Sequence, residues 1–195
     1  MDCSSIEIEN FLEKQLQMTD PELREKMMEQ ITPCAAPKGT VLLQTGERPE
    51  NLYLLWSGIA RGFLLDENGE DTTDCFCIHR GNVLWGCVPI DEPSVVNVET
   101  LSDCELLRVN FSGLLELMAA PDIVRMANQC LSQALELHWN MRMMLCQNDT
   151  MKRYRWFLKE YPGLAEQVSK RHIASFLGMN PVTLSRIRKR LREES

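Results

Sequence analysis

The sequence predicts an α+β chain in three parts: an N-terminal antiparallel β-roll, or double-stranded jelly roll, over residues 1–120, a long helix over 121–148, and a helix-turn-helix over 149–195. Three observations predict it. Gly46, Gly58, Gly69 and Gly81 recur at intervals of 12, 11 and 12 residues with short apolar runs between them, the spacing of one strand and one turn in an antiparallel roll. From Ile123 to Met144 apolar residues step by four and three, the repeat of a helix that packs along its length. Charge is divided: residues 151–195 hold 11 Lys and Arg against 4 Asp and Glu, and the rest of the chain holds 10 against 24. Such a split joins a module suited to phosphate to one that repels it.

At 195 residues, 44% hydrophobic and 25% charged, the chain is long enough for a proper core and has an ordinary globular composition. No apolar run approaches the ~20 residues of a membrane span. The first residues, MDCSSIEIEN, are acidic and unlike a signal peptide. A cytoplasmic protein without membrane contact is expected, and its eight cysteines, lacking a paired framework, are expected as thiols.

Ile6, Phe11, Leu12 and Leu16 recur at helical spacing, and Thr19-Asp20-Pro21 opens a second short helix ending near Ile31. Met27 and Met28 read as core fillers. From Lys38 the texture changes to strands: VLLQ, LYLLW, IARGFLL and TTDCFCI, with Asp66-Glu67-Asn68-Gly69 as a hairpin turn. Val95 to Val98 and Glu105 to Val109 complete the roll. Phe111 begins a short helix, and Pro121-Asp122 opens the long one, from about Ile123 to Cys146.

On that helix Ile123, Ala127, Cys130, Ala134, Leu137, Met141 and Met144 form one seam, and Met126, Leu131 and Leu145 a second apolar line. This exceeds what one buried face needs, so a two-fold homodimer is expected. Asn148-Asp149-Thr150 breaks the pattern and supplies a cap, placing a hinge there. The next helix, Met151 to Tyr161, should bury Tyr154, Phe157 and Tyr161 and leave Lys152, Arg153 and Arg155 outside, with Pro162-Gly163 ending it.

Val168 to Arg192 reads as two helices joined by a sharp turn. Ser169 can cap the first, whose apolar side is Ile173, Ala174 and Leu177, and Gly178 suits a left-handed C-terminal residue. Asn180 caps the second, with Pro181 at its first position, where a missing N–H costs nothing. Leu184, Ile187 and Leu191 give that helix one buried stripe. Val182, Ser185, Arg186 and Lys189 lie opposite, with Arg188, Arg190 and Arg192 on the flanks. A helix apolar behind and cationic in front fits the major groove, which admits one helix.

The pattern I-A-x-x-L-G-x-x-P-x-T-L-S-R-I, from Ile173 to Ile187, resembles the DNA-binding end of the Crp/Fnr family of bacterial transcription regulators. Upstream, Gly46, Glu47, Leu52, Tyr53 and Gly58 resemble that family's sensor roll, and the order of parts is similar over nearly the whole chain. The resemblance implies a homodimer that sets two recognition helices in successive major grooves, about 34 Å apart, on a palindromic site in double-stranded DNA. It admits RNA polymerase as a further partner. Arg186 would then donate to guanine O6 and N7, and Val182 and Ser185 would touch neighbouring bases. Ser169, Lys170, Thr183 and Lys189 would hold phosphates. Members often carry an acid where this chain has Val182, and many carry a hairpin wing beyond the recognition helix.

For the sensor, the resemblance implies a ligand inside the roll. Members that bind cyclic nucleotides use a Gly-Glu pair for ribose and an Arg-Ser/Thr pair for phosphate; the corresponding stretches here are Trp85-Gly86-Cys87 and Ser94-Val95. A buried phosphate without its arginine is strongly disfavoured. Tight binding of cyclic AMP or cyclic GMP is therefore not expected. The remaining pocket positions are Phe76, Ile78, Trp85 and Val95, with Ala134, His138 and Trp139 of the long helix as a lid. They suit an unidentified apolar or aromatic effector, or a pocket filled by its own side chains. No cofactor is expected.

Cys75, Cys77 and His79 alternate along one strand and could serve redox sensing or a metal, but no fourth ligand is evident. A cupin-like enzyme would need clustered histidines, and the chain has only His79, His138 and His172. It also lacks a nucleophile elbow, a phosphate loop and an HExxH pattern, so no enzyme is expected. A dimeric sensor module that has lost DNA binding stands as the other alternative.

Overall fold

The hydroxyl of Ser4 accepts from the backbone N–H of Glu7, whose carboxylate accepts from the N–H of Ser4; this reciprocal cap starts helix α1 (Ser5–Asn10). A π-helical turn, Phe11–Gln15, continues it. The computed structural model describes residues 4–86, 92–146 and 149–193. Cys3, Cys87 and the expected hinge residue Asn148 lie outside them. Asp20 caps α2 (Pro21–Gln30) by accepting from the N–H groups of Glu22 and Leu23.

Among the described residues eight strands follow: β1 (Ile31–Ala36), β2 (Val41–Leu43), β3 (Asn51–Ser57), β4 (Ala60–Leu65), β5 (Asp71–Cys77), β6 (Val83–Leu84), β7 (Asn97–Thr100) and β8 (Cys104–Asn110). They form two four-stranded sheets, ordered β1-β8-β3-β6 and β2-β7-β4-β5. Pairing of β1 with β8, β3 with β8 and β6, and β2 with β7 is antiparallel. The expected roll is therefore present. The sequence reading missed β1, because Pro33 and a helix-like lead-in disguise it, and missed the two-residue β6. It also set β7 two residues early.

The first sheet is buried on both faces, which explains why its strands read as continuous apolar runs. Leu52, Leu54, Trp56, Leu107 and Val109 face a cluster completed by Phe11, Leu12, Met18, Met27, Leu114 and Ile123. Leu55, Cys104 and Leu106 face a second cluster with Leu43, Ala60, Leu84, Val96 and Val98. Trp56 is held between Phe11, edge-on at 5.4 Å, and the Arg80 guanidinium at 3.6 Å from its ring centre. Gly58 has φ +106°, and a Cβ there would lie 2.7 Å from the Asp103 carbonyl oxygen, so the spacing that revealed the roll has a steric basis.

Asn110 caps α3 (Phe111–Leu117), and α4 (Pro121–Leu145) is the expected long helix. The Asp122 carboxylate accepts from the N–H groups of Thr19 and Asp20, tying α4 to the turn before α2. The seam read from the heptad turns partly inward: Ile123 is buried and Ala127, Cys130, Leu137, Met141 and Met144 are half-buried, although Ala134 is exposed; of the second line, Met126 and Leu145 are half-buried. Standing out instead are Val124, Leu131, Leu135, Trp139 and Met143. Periodicity identifies an apolar helix with two faces but cannot say which one the chain itself covers.

Then come α5 (Thr150–Glu160), a 3-10 turn (Leu164–Glu166), α6 (Lys170–Phe176) and α7 (Pro181–Glu193). By contacts the chain divides into two units, residues 1–62 with 76–132, and residues 63–75 with 133–195. The second unit thus takes in the tip of the β4–β5 hairpin and the latter half of α4 as well as the C-terminal helices. Among the described residues no helix is long and apolar enough to cross a membrane.

Candidate nucleic-acid interface and sensor roll

In the second unit, aromatic packing fixes the C-terminal helices. Phe157 lies 5.3 Å from Tyr161, 6.0 Å from Phe176 and 6.3 Å from Tyr154, while Trp156 stacks on Phe176 at 6.1 Å. Ile173, Ala174, Leu177 and Leu184 are fully covered. Asp149 accepts from the N–H groups of Met151 and Lys152 and so caps α5, as its sequence suggests. Ser169 accepts from His172 N–H to cap α6, and Asn180 accepts from Thr183 N–H at 2.7 Å at the start of α7. Gly178 has φ +59°, and a Cβ there would meet Leu145 at 3.0 Å. Each device read from the sequence for the helix-turn-helix is in place.

Two ties were not legible. Arg153, expected outside, instead donates to the carbonyls of Leu145, Leu177 and Gly178 at 2.9, 3.1 and 3.2 Å. It neutralises carbonyl groups at the ends of α4 and α6, where a cation is favoured. The start of β5 also braces α6. Asp71 reaches the Arg171 guanidinium at 2.8 Å and lies 3.7 Å from His172 Nδ1. Ser175 donates to the Thr73 hydroxyl and accepts from Thr73 N–H. No sequence signal links residues a hundred positions apart, so these contacts could be found only in three dimensions.

What this scaffold presents is the outer side of α7. Val182, Ser185, Arg186, Lys189, Arg190 and Arg192 are exposed, Thr183 is half-buried, and Ser169 and Lys170 are exposed at the start of α6. Lys170, Ser185 and Lys189 come together with Arg188, Arg192 and Glu193 around a shallow concavity of about 300 Å³. The cations are not equivalent. The Lys189 side chain is 81% exposed and that of Arg188 only 10%. Arg188 donates to the Ala165 carbonyl at 3.3 Å and to Glu166 at 2.8 Å, which makes it a brace within the fold.

In the roll, the stretches that correspond to ribose and phosphate binding do meet. Val95 N–H donates to the Gly86 carbonyl, and the buried Ser94 hydroxyl donates to the carbonyls of Gly86 and Val96. A Cβ at Gly86 would collide with Ser94 Oγ. Of the expected pocket residues, Phe76 is buried, Ile78 and Trp85 are half-buried, and Val95 is exposed. Trp85 packs against both core clusters and lies 5.7 Å from Phe111. Ala134, His138 and Trp139 are exposed on α4, with His138 Nε2 3.9 Å from the Asp74 carboxylate.

His79 lies beyond the end of β5, in a turn where its N–H donates to the Asn82 side chain, so it does not extend the row of Cys75 and Cys77 as expected. Among the described residues no three His, Cys, Asp or Glu side chains group as metal ligands. Burial pushes the thiols of Cys34, Cys104 and Cys130 up from their ordinary range, which leaves less of the reactive thiolate.

The sequence profile of the cyclic nucleotide-binding domain matches residues 33–120. No curated protein matches the chain by sequence. Solved structures are similar over most of it. The c-di-GMP-responsive global regulator CLP of Xanthomonas campestris has a TM-score of 0.72 at 18% identity, covering 90% of this chain and 93% of its own. FixK2 of Bradyrhizobium japonicum has a TM-score of 0.72 at 22% identity, covering 84% and 85%. A transcriptional regulator of the Crp/Fnr family from Eubacterium rectale has 0.72 at 14% identity, covering 93% and 87%. Residues 33–120 therefore match the cyclic nucleotide-binding domain, and the chain has the fold of the Crp/Fnr-type regulators.

Proposed function

We propose that this chain is a dimeric, sequence-specific DNA-binding transcription regulator, controlled through its roll by an unidentified effector other than a cyclic nucleotide. The observation that carries the proposal is the outer face of α7, where Arg186 and Lys189 stand clear of the fold behind a doubly capped turn. Arg186 recognises guanine through O6 and N7, and Val182 and Ser185 meet adjacent base edges. Ser169, Lys170, Thr183 and Lys189 hold the phosphate backbone, Lys170 and Lys189 sharing one concavity. The dimer forms along α4, where Leu131, Leu135, Trp139 and Met143 are between 53% and 67% exposed, an apolar row too large to leave in water.

The roll supports the second half of the proposal. Ser94 stands where a phosphate would need a cation, and its hydroxyl is already bonded within the backbone. Binding of a selected duplex should weaken steeply between about 50 and about 200 mM salt. Sedimentation should give a dimer, and calorimetric titration with cyclic AMP or cyclic GMP should give no micromolar heat. Because the Xanthomonas relative responds to c-di-GMP, that dinucleotide belongs in the same titration. Absence of DNA binding at low salt would refute the proposal.

A further inference from the structure

The first turn of α7 carries an apolar side chain where a base reader is placed. Val182 is 60% exposed, although Leu184 and Ile187 of the same helix are buried. Its outward position therefore owes nothing to the core. Ser185 and Arg186 follow at i+3 and i+4 and Lys189 at i+7, all exposed, so the four share one face. The helix has no acid before Glu193, which lies beyond Lys189 and is paired with it at 3.9 Å. Residues at the start of a recognition helix are those that reach base edges.

Major-groove chemistry narrows what such a face can read. Cytosine offers an N4–H donor and needs an acceptor; adenine offers a donor and an acceptor together. Valine satisfies neither, and a polar edge pressed against it would lose its water without compensation. The apolar group on a major-groove edge is the thymine 5-methyl. From this we infer that Val182 is a specificity-determining residue that packs on a thymine 5-methyl group near the guanine read by Arg186. Four residues of helix rise about 6 Å, under two base steps of about 3.4 Å, so the thymine lies one or two base pairs from that guanine. The inference rests on the DNA-binding reading above and adds the base it selects.

The test removes the methyl group and nothing else. Full-length protein selects its preferred duplex from a random library, and thymines in the selected site are replaced by uracil one position at a time. Loss of one methyl contact in a half-site should weaken binding about fourfold, and loss in both half-sites more than tenfold. V182S, at an exposed position that leaves the core intact, removes the apolar contact and should bind the thymine and uracil duplexes equally. A selected site with no thymine within two base pairs of the guanine would overturn the inference, as would uracil sensitivity that persists in V182S. If wild-type protein selects no duplex at all, the DNA-binding reading itself fails, an outcome plainly distinct from binding that ignores the methyl.

Discussion

Arg188 and Lys189 are neighbours in sequence that differ sharply in burial, and under the proposed function their alanine variants should separate folding from DNA binding. Arg188 is nearly enclosed, with one hydrogen bond to the Ala165 carbonyl and one ionic bond to the largely exposed Glu166. Losing a neutral-acceptor bond of about 1 kcal/mol and a solvent-screened pair worth less than that, R188A should be destabilised by about 1–2 kcal/mol. For a chain of this length the melting temperature falls by roughly 3–6 °C. The Lys189 side chain is 81% exposed and pairs with Glu193 at 3.9 Å in solvent, so K189A should melt like the parent. In a dimer it removes two phosphate contacts, which flattens the log–log dependence of affinity on salt by about 1.8. Across a fourfold salt change that is about a tenfold smaller loss of affinity. Thermal melts and binding isotherms at several salt concentrations read both effects. A flattened salt slope in R188A with none in K189A would refute the assignment of the two side chains.

L135E places a charge in the exposed apolar row of α4 and should shift the protein from dimer to monomer in sedimentation, with loss of palindromic-site binding. D71A removes the partner of Arg171 and the neighbour of His172, so backbone amides of α6 should exchange faster, corresponding to about 1–2 kcal/mol of local stability. D122N addresses pH. Hydrogen bonds from Thr19 and Asp20 hold the Asp122 carboxyl below its ordinary 3.8. Its contribution is complete above that value and is lost as pH falls through the lower folded value. Wild type should therefore melt higher than D122N at neutral pH, and the gap should close below pH 3.8.

Legibility followed the range of the interactions. The helix-turn-helix was readable almost to the residue because Ser169, Gly178, Asn180 and Pro181 act on their immediate neighbours, and local chemistry is written locally. The roll was readable from glycines that make turns, while β1 was not, since its strand character comes from pairing with β8 some seventy residues away. Arg153 is the clearest failure of pattern reasoning. Helical spacing placed it on the wet side, yet its long side chain gathers three carbonyls from two other segments. The same limit explains the α4 seam, whose heptad describes both the face the chain covers and the face it offers.

The match of residues 33–120 to the cyclic nucleotide-binding domain poses a question that the match does not answer. A bound phosphate needs a cation that is free to meet it, because the cost of burying an unpaired anion exceeds what neutral donors return. Among the described residues the roll buries Arg61, but Glu99 already holds it at 2.7 Å with the arginine side chain only 4% exposed. Its charge is thus already matched by a carboxylate within the roll. Among the described residues, the Ser94 hydroxyl near Gly86 is bonded to backbone carbonyls. Trp85 meanwhile occupies space between the two core clusters. Under the proposed function, an effector of a roll with that interior would bring apolar surface and no charge. Such an effector would be judged by how little water it holds, and adding negative charge to a hit should abolish its binding.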